Sequence, residues 1–422
     1  MRRLIWLIIL LLAEAQTVNA RDTWLDGLMA GEVESRIGRI HANSAIAKAG
    51  GRMEDTRQLW EDFGRRENRR VPMTFVCDEQ MWLKATGHKF GEFYNNPQIH
   101  LKVQLEGRRW FCDNIAGDMI PGYPERWDIG VKEWMDENEF FGCEVIYQED
   151  DYAWAQPLPL EKESLLAHIA DLDPEERVRT NSAFKMYQAL KDLSEGMVYL
   201  DRPVDVIPPG GGTHGIFTKA AEIRGLEQIC IDLHEDPELV EKLLRLVTDK
   251  TIARIKAFRK LTGIEAELPS KGGWGFADDS LQMLSGEMYE NFVLPSHERL
   301  YSAMTTGARS IHLCGRSSQH YELLAHELGV TALDGPGPFI DHGHYLRTLG
   351  PDFSFSAQTD HTVLARGPES EIDAMMRKLL SPEAKLPGRF SICGFVHRDT
   401  DLRNVGVCYA AAQEYGQITK LA

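Results

Sequence analysis

The chain is short of positive charge, short of cysteine, and has no long apolar run past its first residues. Lysine and arginine total 47 against 64 acids, for a formal net charge of −17. Basic residues cluster no further than pairs such as Arg65-Arg66 and Arg69-Arg70. That argues against a nucleic-acid partner, because phosphate binding needs a basic surface. The seven cysteines are odd in number and widely spaced, which excludes a disulfide scaffold. Cys143, Cys230 and Cys408 sit among apolar neighbours and read as small buried hydrophobes. The one apolar run, Leu4 to Leu12, is too short to span a membrane as a helix. It follows Met1-Arg2-Arg3 and precedes Val18-Asn19-Ala20, the layout of a secretory signal peptide. Residues 1–20 are therefore a signal-like leader or an extension upstream of the true start. Free-looking cysteines suit a reducing compartment, and the expectation is a cytoplasmic protein.

What is present is ample. At 422 residues and 43% hydrophobic, the chain can bury one large barrel core or two smaller ones. Residues 21–70 read as an N-terminal helical cap, and Val71 to Val76 as the first buried strand. A hairpin is expected within 126–160, around the acidic turn Gln148 to Tyr152. Two helices are expected between Glu161 and Glu195, then a strand Val204 to Ile207. Pro208-Pro209-Gly210-Gly211-Gly212-Thr213-His214-Gly215 follows; it lacks the Gly-Lys-Ser/Thr ending of a phosphate loop and reads as a flexible active-site loop. Helices over 216–233 and 236–262 precede a segment at Ala266-Glu267-Leu268. Strands and helices then alternate to a final helix over 401–416. Such alternation implies a parallel sheet with helices outside. Residues 71–422 are thus expected to form a (β/α)8 TIM-type barrel with an early hairpin insertion, a doubly wound sheet being the runner-up.

Two stretches of this alternation carry chemistry. In Ile311-His312-Leu313-Cys314-Gly315, strand alternation points His312 and Cys314 to one face. In Phe390-Ser391-Ile392-Cys393-Gly394, Ser391 and Cys393 share a face. Both sulfurs stand just before a glycine, which reads as a strand end. If the strands share one parallel sheet, one histidine and two cysteines converge at its carboxyl edge. That is a three-ligand zinc set with an open fourth position. A core histidine beside a core cysteine is the competing reading of the first pair.

From about Arg70 to Gly416 the sequence resembles the uroporphyrinogen decarboxylase-like superfamily, and within it the zinc-dependent methyltransferases that work with corrinoid proteins. The resemblance rests on Arg70-Val71-Pro72, Gly215-Ile216-Phe217-Thr218, Asp278-Asp279, His312-Leu313-Cys314-Gly315, Cys393-Gly394 and Glu414-Tyr415-Gly416, among others. It implies zinc on His312, Cys314 and Cys393, and a corrinoid carried by a partner protein. The implied reaction moves a methyl group between that corrinoid and a small thiol or methylated substrate. The decarboxylase branch carries arginines just after its first strand. Here Thr74 to Met81 holds no arginine and two acids, which would repel a polyanionic substrate.

The accessory expectations are these. Asp360 orients a ligand or shuttles a proton, as the catalytic candidate. Asp78, Glu79 and His214 contact substrate. Each acid has a helix N-cap or a solvated loop position as its alternative. His361 is a weaker candidate, His297 reads as structural, and Cys77 reads as a lone buried thiol. A metal-free lyase and a non-catalytic binding protein on the same barrel stay open, and the oligomeric state, a homo-oligomer included, is not fixed.

Overall fold

In the computed structural model the described residues are 56–119, 122–132 and 135–418. The leader-like segment and most of the expected cap lie outside them; helix Thr56–Gly64 is the described part of that cap. Eight strands form the barrel: β1 (Met73–Cys77), β2 (Trp127–Gly130), β3 (Arg202–Ile207), β4 (Trp274–Ala277), β5 (Arg309–His312), β6 (Val330–Asp334), β7 (Ser354–Gln358) and β8 (Phe390–Val396). Six of them run parallel in the order β1-β8-β7-β6-β5-β4, and β2 pairs parallel with β3. Backbone bonds stitch the two arcs together: Ala277 N–H donates to Thr213 O just past β3, and Asp118 N–H donates to Met73 O of β1. This is a TIM-type (β/α)8 barrel, as the alternation of elements implies.

The outer face of the sheet holds the core. Phe75, Ile311, Leu333, Phe355 and Ile392 are buried, and strand alternation turns their neighbours inward. Those inward neighbours are small or polar. Ser310, Ala332, Asp334, Ser354, Ser356 and Ser391 line a cavity of about 140 Å³ inside the barrel. Barrels of this type are normally filled with branched aliphatic layers; this one is not. Helices are set by their caps. Asn96 accepts from Gln98 N–H ahead of Pro97–Asn114, and Asp236 from Leu239 N–H ahead of Pro237–Leu261, each with proline in the first turn.

Arg70, just before β1, lies inside the molecule. Its guanidinium grips Asp118 through two bonds of 2.6 and 2.7 Å, and Asp118 also accepts from Met73 N–H and the Tyr409 hydroxyl. One carboxylate thus ties the first strand, the loop before β2 and the last helix, Leu402–Tyr415. Among the described residues no helix is long and apolar enough to cross a membrane.

Several boundaries differ from the sequence expectation. The hairpin is Val145–Ile146 with Trp154–Ala155, while Trp127–Gly130 belongs to the barrel. Residues 161–195 hold three helices, and 216–235 is broken at Gly225, which takes φ +94°. Ala266-Glu267-Leu268 is irregular; the barrel strand there is Trp274–Ala277. The last strand does not stop at Cys393 but continues to Val396.

Candidate metal centre

The strands β4, β5 and β6 deliver the densest set of metal-type donors. His312 is the last residue of β5 and Cys314 lies two residues on, so both side chains face the mouth. A short 3-10 helix, Asp279–Met283, follows β4 and brings Asp279 beside them. The Asp279 carboxylate, a His312 ring nitrogen and the Cys314 sulfur lie within 4.8 Å of one another. His312 Nε2 is 3.0 Å from Cys314 Sγ and 3.7 Å from Asp279 Oδ1. Cys314 N–H donates to the same Asp279 oxygen at 2.8 Å, fixing loop against strand.

The other face of the ring is anchored. His312 Nδ1 is 2.8 Å from Asp334 Oδ2, at the end of β6. A carboxylate that accepts Nδ1–H leaves Nε2 aimed at the donor cluster, the usual support behind a metal-binding histidine. Burial disfavours the charged ring, but the Asp334 carboxylate and the Cys314 sulfur outweigh it and raise the His312 pKa to about 10. Any metal bound here displaces that proton.

Histidine, thiolate and carboxylate are the donors that zinc accepts, so the cluster fits the ion. The fit differs from the sequence expectation at one ligand. Asp279 stands in the cluster and Cys393 does not. Cys393 lies on the inner-facing side of β8, in register with Gln358 of β7 and Thr74 of β1. Burial raises the pKa of its thiol, and the Asp334 charge adds to that. The two glycines also part company. Gly315 takes φ +69° and lets the chain turn away after Cys314. Gly394 stays in the strand, where a Cβ would lie 2.5 Å from the Phe75 ring; its role is close approach.

The accessory candidates divide. Asp360 caps helix His361–Arg366, with one oxygen accepting from Thr362 N–H and Val363 N–H. One Asp360 oxygen is thus engaged as the helix cap, and the carboxylate is not in the donor cluster. Asp78 also caps a helix, Glu79–Thr86, through Met81 N–H, but its second oxygen holds other partners. Glu79 is 2% exposed; Oε1 pairs with Lys132 Nζ at 3.2 Å and Oε2 is buried with no hydrogen-bond partner. His214 is held by its N–H and Nδ1 to Glu137 Oε1, at 2.9 and 3.0 Å, over the buried pair of Glu137 with Arg254. The loop bearing it is therefore pinned, not flexible: Trp274 Nε1–H donates to Gly211 O, and Arg254 to Gly212 O. His297 is structural as expected, bonded to buried Asp278 and to Tyr289. The sequence reading gave no role to Asp334, Asp279 or His397.

Comparison with known proteins agrees with this barrel. A methyltransferase from Methanosarcina mazei superposes with a TM-score of 0.57 at 17% identity, covering 86% of this chain and 98% of that one. A B12-independent methionine synthase from Shewanella sp. W3-18-1, solved with selenomethionine, aligns with a TM-score of 0.31 at 11% identity, over 66% of this chain and 74% of that one. No curated protein matches the chain. The family model for uroporphyrinogen decarboxylase (URO-D) matches residues 59–415. The chain belongs to the uroporphyrinogen decarboxylase family of barrel enzymes.

Proposed function

We propose that the chain is a zinc-dependent methyltransferase that moves a methyl group between a corrinoid protein and a small thiol or methylated substrate. The observation that carries the reading is the donor cluster at the mouth: His312 and Cys314 side by side, Asp279 within reach, and Asp334 behind the imidazole. His312 and Cys314 are ligands in either arrangement; the third is Asp279 or Cys393. Zinc, when bound, would supply a positive charge that makes a thiol presented to it a stronger acid, and so a thiolate at neutral pH.

The chain's own residues do the rest. Asp334 holds the His312 tautomer with Nε2 toward the donors. Glu79, with a buried oxygen lacking a partner, and His214, fixed over Glu137, are the groups offered to the substrate. The absence of arginine after β1, where Cys77 is followed by Asp78 and Glu79, disfavours a polyanionic porphyrinogen. We assign the reaction to the cytoplasm.

Metal analysis of the purified protein tests this. Stoichiometric zinc, lost in Cys314→Ser and His312→Ala, and methyl transfer from methylcobalamin to a thiol, are the expected results. A folded wild-type protein that takes up no zinc on reconstitution overturns the reading in favour of a metal-free lyase. Metal analysis of Asp279→Asn and Cys393→Ser then identifies the third ligand.

A further inference from the structure

A second polar cluster lies at the same mouth, above the adjoining strands β7, β8 and β1. Asp78 follows β1, His397 follows β8 and His361 follows β7. Asp78 is 6% exposed. One of its oxygens accepts from Met81 N–H as a helix cap. The other takes the Tyr152 hydroxyl at 3.0 Å and His397 Nδ1 at 3.1 Å. His397 Nε2 is in turn 3.3 Å from His361 Nδ1. Capping a helix needs only the first oxygen. The second organises a line of proton carriers that runs from a buried carboxylate to an exposed imidazole.

We propose that Asp78, His397 and His361 form a proton relay that serves the methyl-transfer site as its general acid–base. The assignment rests on the methyltransferase reading above. His397 Nδ1–H donates to Asp78, so His397 Nε2 accepts from His361 Nδ1–H, and His361 Nε2 is left as a base. In transfer to a thiol, the S–H proton goes to His361 Nε2 as the thiolate forms, and the thiolate then takes the methyl group in a new S–C bond. The methyl–cobalt bond breaks and its electron pair stays with the corrinoid. His361 Nδ1–H then passes to His397 Nε2, and the resulting imidazolium is held by the Asp78 carboxylate. In the demethylating direction the relay runs backwards and protonates the departing heteroatom.

The surroundings suit that role. The Phe395 ring packs against both imidazoles, at 5.5 Å from His361 and 4.6 Å from His397. Among the described residues, Asp78, Tyr152 and Asp360 bear on the pair, with Glu79 beside Asp78. Partial desolvation of the ring at the mouth, with the neighbouring His397, holds the His361 pKa below its ordinary value, against the pull of Asp360. A base so held is unprotonated at neutral pH. Asp78 touches no reacting atom and is a positioning residue; its effect is on the His397 tautomer.

The test uses the full-length, zinc-loaded protein with methylcobalamin and a panel of small thiols, alongside imidazole ¹⁵N NMR of the same sample. His397→Gln and His361→Gln are expected to lower kcat about 100-fold or more, leave zinc content unchanged, and flatten the acidic limb of the kcat–pH profile. His361 is exposed, so its variant guards against a folding artefact. NMR is expected to show His397 as the Nδ1–H tautomer, with coupled titration of the two rings that Asp78→Asn abolishes. Unchanged kcat and pH profile in both glutamine variants would overturn the relay. Should the wild type transfer no methyl group to any thiol, the parent reading fails and the relay's catalytic role falls with it; coupled titration would then support only the hydrogen-bonded chain, and independent titration would overturn that as well.

Discussion

Removing Asp118 should unfasten the start of the barrel. Its carboxylate receives both Arg70 nitrogens at 2.6 and 2.7 Å, Met73 N–H at 2.7 Å and the Tyr409 hydroxyl at 2.7 Å. The Arg70 and Asp118 side chains are 7% and 1% exposed. In Asp118→Ala the buried guanidinium loses this carboxylate, a loss of about 3–5 kcal/mol when one partner of a buried pair is removed. Each of the two neutral donors left without an acceptor adds about 1 kcal/mol where water does not reach it. Set against the 5–15 kcal/mol roughly typical of a domain, that is a large share. Urea unfolding followed by circular dichroism and tryptophan fluorescence measures it as a fall in midpoint at unchanged slope. The double variant Arg70→Met, Asp118→Leu should recover the charged part of the loss, because an apolar pair leaves no buried charge, while Met73 N–H and the Tyr409 hydroxyl still lack their acceptor. A fall in Asp118→Ala worth less than about 1 kcal/mol, within the range of an exposed pair, would refute the reasoning.

Other consequences are equally open to measurement. Asp334→Ala should weaken zinc binding about 10–100-fold, the usual effect of deleting a carboxylate behind a ligating histidine, read by competition with a chelator. Asp360→Ala should lower stability by about 1 kcal/mol, as loss of a helix cap does, with methyl transfer unchanged; a large loss of activity at wild-type stability would restore its catalytic candidacy. Burial lowers the His100 pKa to about 4, and its ring bonds Phe93 O and Lys132 N–H in the neutral form. The unfolded chain takes up that proton first, so its contribution to stability is complete above about pH 6.5 and falls as pH drops toward 4, by about 1.4 kcal/mol per pH unit at most. The acid slope of the urea midpoint should therefore flatten in His100→Phe.

The barrel and the β5 half of the site were legible because both depend on local pattern. Alternation placed His312 and Cys314 on one face. The rest depended on contacts between distant segments. Strand β4 escaped notice because Gly272, Gly273 and Gly275 dilute its apolar pattern. Yet Gly275 is there because a Cβ would meet the Ser310 hydroxyl at 2.1 Å. With β4 unseen, Asp279 had no strand end to belong to. Cys393 could be given a face but not a distance, since the reach of β8 to β5 is set by barrel closure. His397 lay hidden for a related reason: a strand thought to end at Cys393 left it in an anonymous loop, whereas the strand running to Val396 puts it at the mouth. Asp360 shows the converse, a residue in the expected place with one carboxylate oxygen capping the helix behind it.

The lumen, walled largely by small side chains, separates two tasks that most barrels combine. Adhesion here comes from the sheet's outer wall, and the inner wall contributes little of it. Exchanging Ser354, Ser356 or Ser391 for alanine removes no packed methylene and opens no apolar void. The lumen is a vessel whose lining can be rewritten at small thermodynamic risk, so descendants of this chain could change what they hold without relearning how to fold.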